Sequence, residues 1–144
     1  MNRTDSLLRL KRFRVDEMRR RIGAIEAMRQ DLENKLTDLD DNVTREKQRA
    51  GDSDIGRLAF PSFLRSIEAR RENLRNSMKD IEREHAVALA DLRDAFEELK
   101  SLEIAAEQQQ RRLAEIEGRR AQTRVDEIAL MRHLRKHAVR TATR

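Results

Sequence analysis

The sequence predicts an all-α protein, folded as an antiparallel two-helix coiled-coil hairpin in which helix two is longer than helix one. Three observations predict this fold. Charged residues make up 41% of the 144 residues and aromatic residues only 3%, so large apolar side chains are too few to fill a globular core. Apolar residues recur in heptads along most of the chain. Turn-forming residues are concentrated in one short segment, so residues 1–144 are expected to form a single hairpin.

Helix one is predicted over about residues 5–49. Apolar residues occupy the two core positions of its heptads over about six repeats, which keeps one stripe facing a partner helix. Lys11, Arg29 and Glu46 interrupt this stripe. The predicted core residues are Leu8, Val15, Met18, Ile22, Ile25, Leu32, Leu36, Leu39 and Val43.

The turn is predicted at about residues 50–61, where Gly51, Gly56 and Pro61 lie close together with several aspartates and a serine. Proline disfavours helix at the residue before it and suits the first turn of a helix, where its missing N–H is not needed. Helix two is therefore expected to begin at about residue 62 and to run to about residue 138.

Helix two has a heptad stripe of its own. His85 occupies one of its core positions, where a polar side chain can set the register of the two helices. Near Gly118 the stripe shifts by one residue, which predicts a kink, a stutter or local loosening. The predicted core residues are Leu64, Ile67, Leu74, Met78, Ile81, Ala88, Leu92, Ala95, Leu99, Leu102, Ala106, Leu113 and Ile116.

The unequal helix lengths predict that helix two extends beyond helix one. Residue 8 should lie opposite about residue 103, and residues beyond about 108 should have no intramolecular partner. Residues 1–21 hold eight basic and three acidic residues, whereas residues 80–107 hold three and nine, which favours the antiparallel arrangement. Residues 108–144 hold ten basic and four acidic residues and are predicted to be the docking end.

The sequence offers no pattern that predicts catalysis or a cofactor, and we expect the protein not to be an enzyme. It has no cysteine and no glycine-rich phosphate loop. His133 and His137 have the i, i+4 spacing of metal ligands, but arginine and lysine surround them, which favours a solvated basic tail over a metal site. No apolar run is long enough for a signal peptide or a membrane span, so we expect a soluble protein that the general secretory route does not export.

Two groups of residues are candidates for partner contacts. The arginine pairs and triplets could bind phosphate, but the stacking aromatics of nucleic-acid-binding proteins are missing, and we do not expect nucleic acid as the partner. Phe60 and Phe63 flank Pro61 at the turn and either contact a protein or cap the end of the core. A nucleic-acid-associated coiled coil and a self-associating structural rod both remain alternatives.

Three segments, taken in order, resemble one known family. They are LRLKRFRVDE at 8–17, the turn with AGDSD at 50–54 and AFPSF at 59–63, and FEELK at 96–100. Over about residues 5–135 the chain is similar to the FliJ family of flagellar export proteins, particularly its alphaproteobacterial branch.

The resemblance implies a non-enzymatic stalk and escort component of the flagellar type III export apparatus, at the cytoplasmic face of the flagellar base. Its implied partners are the hexameric flagellar export ATPase, the export gate membrane protein and export chaperones, with no small-molecule substrate. By this resemblance Arg12, Arg19, Arg120 and Arg124 would contact the ATPase ring. Phe60 and Phe63 would face the gate, although the tyrosine often found near the turn in the family is missing here.

Overall fold

The computed structural model describes residues 3–142, which form two α-helices and, within that range, no strand. Helix α1 spans Arg3–Ala50 and has 48 residues, and helix α2 spans Asp54–Ala142 and has 89. They pack against each other as a hairpin, which confirms the predicted fold class and the greater length of the second helix. Both helices extend a few residues beyond their predicted outer ends.

The turn is shorter than predicted, because only residues 51–53 separate the two helices. The expectation that helix two begins near residue 62 is wrong, and Pro61 lies inside α2. The reason is a cap at Ser53, whose Oγ accepts a 3.0 Å hydrogen bond from the backbone N–H of Gly56. A serine in this position satisfies one of the free N–H groups at a helix start, and Asp54 in the first turn adds favourable charge.

Buried apolar side chains form a narrow seam between the helices. Val15 packs with Ala95 and Leu99 in one cluster, and Ile22 and Ile25 pack with Ala88 in a second. The buried residues are Val15, Ile22, Ile25, Leu39 and Ala50 of α1 and Ile67, Ala88, Ala95 and Leu99 of α2. All of these except Ala50 are core positions that the heptads predict. The seam is the core of the molecule.

Polar residues within the heptad seam reach carboxylates on the opposite helix. Lys11 Nζ lies 2.8 Å from Glu98 Oε2, and His85 Nε2 lies 3.3 Å from Glu26 Oε1. Arg71, also at a core position of α2, pairs with Asp40. Polar core positions of this kind favour one register over its neighbours. The predicted register is confirmed, since Leu8 and Glu103 line the same groove.

The pair between Lys11 and Glu98 predicts a measurable titration. The hydrogen bond from Lys11, and then its charge, lower the pKa of the Glu98 carboxyl below its usual value. Because the folded-state pKa is depressed, the stability from this pair is present above the unfolded pKa and is lost as pH falls through the folded pKa. Lys11→Met should raise the Glu98 pKa in an NMR titration. Arg14→Met should raise it less, because Arg14 has the smaller effect on this carboxyl.

Two glycines predict opposite effects of the same substitution. A Cβ at Gly23 would meet no atom within 4 Å, whereas one at Gly56 would lie 2.9 Å from Ser53 Oγ and 3.1 Å from Ala50 Cα. Glycine inside a helix is less favourable than alanine by about 1 kcal/mol, so Gly23→Ala should raise the free energy of unfolding by that amount. At Gly56 the crowding against the α1 backbone should cancel or reverse this gain. Chemical denaturation measures both, and equal gains would contradict the close approach at the turn.

Helix α2 continues without interruption through Gly118. The predicted shift in the apolar stripe therefore occurs without a break in the helix. No atom lies within 4 Å of a Cβ built at this glycine, so the helix is open to solvent around it.

Candidate partner-binding surfaces

The C-terminal part of α2 extends past the end of α1, and we call residues 107–142 the overhang. Every residue of the overhang is exposed. At a rise of 1.5 Å per residue it is about 54 Å long. The structure thus confirms that the described residues beyond about 108 lie outside the seam with α1. The overhang carries nine basic and five acidic side chains, a net charge of +4.

Arg120 and Arg124 lie on one face of the overhang. They line a shallow groove together with Ile116, Thr123 and Glu127. Among residues 3–142, no carboxylate lies within 4 Å of either guanidinium group. Two positive charges beside an exposed isoleucine can bind a carboxylate and an apolar side chain of the same partner.

Arg12 and Arg19 lie one heptad apart on α1, close to its free end. Arg12 Nε is 3.6 Å from Glu103 Oε1, so this arginine already has a partner on α2. In the part of the chain that the structure describes, no carboxylate lies within 4 Å of the Arg19 guanidinium group. Arg19 is therefore the more available of the two.

The four predicted arginines do not form one cluster. Arg120 lies 17 residues beyond Glu103, the partner of Arg12, which corresponds to about 25 Å along α2. They form two pairs instead, one on the paired part of the hairpin and one on the overhang. Both pairs lie towards the end of the hairpin that carries the two termini, which we call the open end.

At the other end of the rod, Phe60 and Phe63 stack on each other. Their ring centroids are 6.3 Å apart with an angle of 25° between the planes, and both side chains are half-buried. Ile55 and Leu58 are each 81% exposed and are the most accessible apolar residues at this end among those described. We call Ile55, Leu58, Phe60 and Phe63 the tip surface. Ile55 and Leu58 are absent from the predicted contacts because the predicted turn placed them in a loop, although their i, i+3 spacing is helical.

The described surfaces also contain a pair of neighbouring histidines and several open grooves. His133 and His137 stack with ring centroids 6.3 Å apart, but within the described chain no three histidine, aspartate or glutamate residues group as metal ligands would. The grooves that the structure does contain are open to solvent and run along the helix pair. Neither helix has a stretch long and apolar enough to cross a membrane over residues 3–142.

A long helical rod with a basic open end and an apolar tip belongs to the class of coiled-coil proteins that act by binding other proteins at their ends. A family model described as "Flagellar FliJ protein" matches residues 1–138. The chain belongs to this family, and it is therefore a component of flagellar type III export. No curated protein and no solved structure matches it. The narrower assignment to the alphaproteobacterial branch stays a prediction.

Proposed function

We infer that this chain is the non-enzymatic stalk and escort component of the flagellar type III export apparatus. Its open end inserts into the hexameric flagellar export ATPase and stimulates ATP hydrolysis, and its tip surface contacts the export gate membrane protein. Export chaperones bind along the same rod. The protein acts at the cytoplasmic face of the flagellar base. Membership of the flagellar family supports this proposal.

The observation that carries the proposal is the exposed, basic overhang. A helix segment of this length that extends past α1 leaves its apolar side chains exposed to water, and burying them against a ring of subunits would stabilise the complex by about 25 cal/mol per Å² of apolar area. Arg12, Arg19, Arg120 and Arg124 supply positive charge over the same end of the rod. Positive charge on the rod increases its rate of association with a ring whose lining is acidic. The same charge fixes the orientation of the rod in the ring.

An asymmetric rod can alter an ATPase without any catalytic group of its own. The rod is asymmetric at its open end. Both helices form the part next to the seam, and α2 alone forms the overhang. Subunits around the ring therefore meet different surfaces. If one subunit conformation binds the rod more tightly, the binding free energy shifts the equilibrium of that subunit towards this conformation.

The tip surface is the proposed contact with the export gate. Phe60 and Phe63 largely cover each other, whereas Ile55 and Leu58 point into solvent. Ile55 and Leu58 would therefore make the first contact with an apolar partner, with the phenylalanine pair holding the shape of the tip. An exposed apolar group at the end of a charged rod is typical of a protein-binding site.

The first experiment is a pull-down with the full chain from a lysate of flagellated cells at moderate salt, read by mass spectrometry, followed by an ATPase assay with the purified ring. The proposal expects recovery of the export ATPase and a rate of hydrolysis that rises with added chain. Recovery of nucleic acid, with an affinity that falls steeply with salt, would favour the nucleic-acid alternative. Recovery of the chain alone as a dimer would favour the structural rod.

A further inference from the structure

One face of the overhang has apolar side chains on both sides of a pair of arginines. With 3.6 residues per turn, the residues of this face fall within about 120° of the helix circumference. Its apolar members are between 43% and 64% exposed. We call it the overhang face. It includes Leu113, Ile116, Arg120, Arg124, Ile128, Met131 and Leu134, and Glu117, Glu127 and Arg135 lie within the same arc.

The overhang face continues the seam of the hairpin. Leu99 and Leu102, which pack towards α1, are followed at heptad spacing by Ala106, Leu113 and Ile116. Helix α1, which begins at Arg3, does not extend along α2 beyond this point. A further helix placed on the overhang face would lie in line with α1 and would extend the same coiled-coil packing. The face therefore has the geometry of a site for one helix.

A second copy of the overhang does not suit this site. The antiparallel register that places Leu113 opposite Met131 of another copy also places Ile116 opposite Ile128, so the apolar residues match. In that register, however, Arg120 faces Arg124 of the other copy, and Glu117 faces Glu127. Like charges across a helix pair are destabilising. The apolar positions of two copies agree, but the facing arginines at the centre of the face oppose association.

The hairpin shows how charges are arranged where two helices of this protein pack together. Its basic segment, residues 1–21, lies along the acidic residues 80–107, with cross-helix pairs such as Arg21 Nη1 to Asp91 Oδ2 at 3.7 Å. The overhang is basic like residues 1–21, and Arg120 and Arg124 have no carboxylate within 4 Å in the described part of the chain. By the same complementarity the net charge of +4 on the overhang favours an acidic partner helix.

We propose that the overhang face binds an acidic amphipathic α-helix of another protein, laid antiparallel to α2 and in line with α1. The partner's apolar residues pack on Leu113 and Ile116 at one end and on Ile128 and Met131 at the other. Its carboxylates lie between them, against Arg120 and Arg124. This inference deepens the proposed function, because it gives the chemistry of the partner that the open end recognises.

Two peptides taken from the chain itself are matched probes. Residues 80–107 form an acidic helix with an apolar seam, and residues 1–28 form a basic one of equal length. Each is labelled and titrated into the full-length protein at moderate salt. The acidic peptide should bind at least about tenfold more tightly than the basic peptide, because it carries nine carboxylates and three basic side chains, whereas the basic peptide carries four and eight.

Two double variants locate the site. Arg120→Glu with Arg124→Glu should weaken binding of the acidic peptide by at least about tenfold. Arg112→Glu with Lys136→Glu changes the net charge by the same amount but lies off the overhang face, and should weaken binding less than about threefold. Circular dichroism should show the same helix content in both, since all four positions are exposed.

Equal binding of the two peptides, or equal losses in the two double variants, would overturn the inference. So would a dimer in sedimentation experiments that is lost on Ile116→Ser, because a second copy would then occupy the face. The ATPase assay is a separate test. A chain that stimulates the ATPase but does not prefer the acidic peptide would keep the proposed function and lose this inference, and the reverse result would lose the proposed function alone.

Discussion

Ile67→Ala is expected to lower the free energy of unfolding by about 3 kcal/mol, the typical cost of removing a large buried aliphatic side chain. Ile67 is 2% exposed and is the most completely buried large side chain of the described residues. A seam between two helices has no further layer of side chains that could move into the space left by the missing atoms. The substitution should therefore carry the whole free-energy cost of the cavity. Urea denaturation followed by circular dichroism measures the change.

The matched control is Ile55→Ala in the same helix. Ile55 is 81% exposed, and the identical substitution there should change the free energy of unfolding by less than about 0.5 kcal/mol. A loss at Ile55 comparable to that at Ile67 would mean that the tip surface packs against the rest of the chain. A small loss at Ile67 would mean that the seam does not close near the turn.

The seam could be predicted because the packing of a coiled coil follows the heptad repeat of its sequence. The heptad keeps Val15, Ile22 and Ile25 on one side of α1, and each of them is buried. The same repeat in α2 identified Ala88 and Ala95, although alanine carries little hydrophobic signal. Periodicity suffices here because each helix has one partner, and no third element competes for its apolar side.

The turn could not be placed as well, because local signals conflicted there. Pro61 is a strong sign of a helix start, and Gly51 and Gly56 are signs of a loop. The cap at Ser53 prevails, and α2 begins at Asp54, seven residues before the proline. This misplacement also hid Ile55 and Leu58, whose exposure is visible only once they are known to lie on a helix.

The candidate surfaces were predictable in position but not in detail. The difference in helix length and the excess of arginine are both properties of the sequence, and together they locate the overhang. Which arginines are already paired could not be predicted, because a long side chain reaches more than one position on the opposite helix. Arg12 has Glu103 as its partner, whereas no carboxylate of residues 3–142 lies within 4 Å of the Arg19 guanidinium group. Only the three-dimensional register separates a neutralised arginine from an available one.

The rod separates its two proposed contacts by the length of the hairpin, and truncation should reveal this. A chain that ends at Gln108 loses almost the whole overhang but none of the buried seam. Its melting temperature should change by less than about 2 °C, because exposed residues outside the seam contribute little to global stability. Its apparent affinity for the export ATPase should fall by about a hundredfold or more, because the larger part of the proposed contact is gone.

The control for this truncation is a change at the opposite end, Ile55→Ser with Leu58→Ser in the full-length chain. This variant keeps the overhang, so it should stimulate the export ATPase as the unchanged protein does, while binding of the export gate is reduced. The ATPase rate as a function of chain concentration measures the first effect, and a pull-down with the gate's cytoplasmic part measures the second. If the truncated chain stimulated the ATPase fully, docking would depend on the paired helices, with Arg12 and Arg19, and the overhang would have to serve another partner.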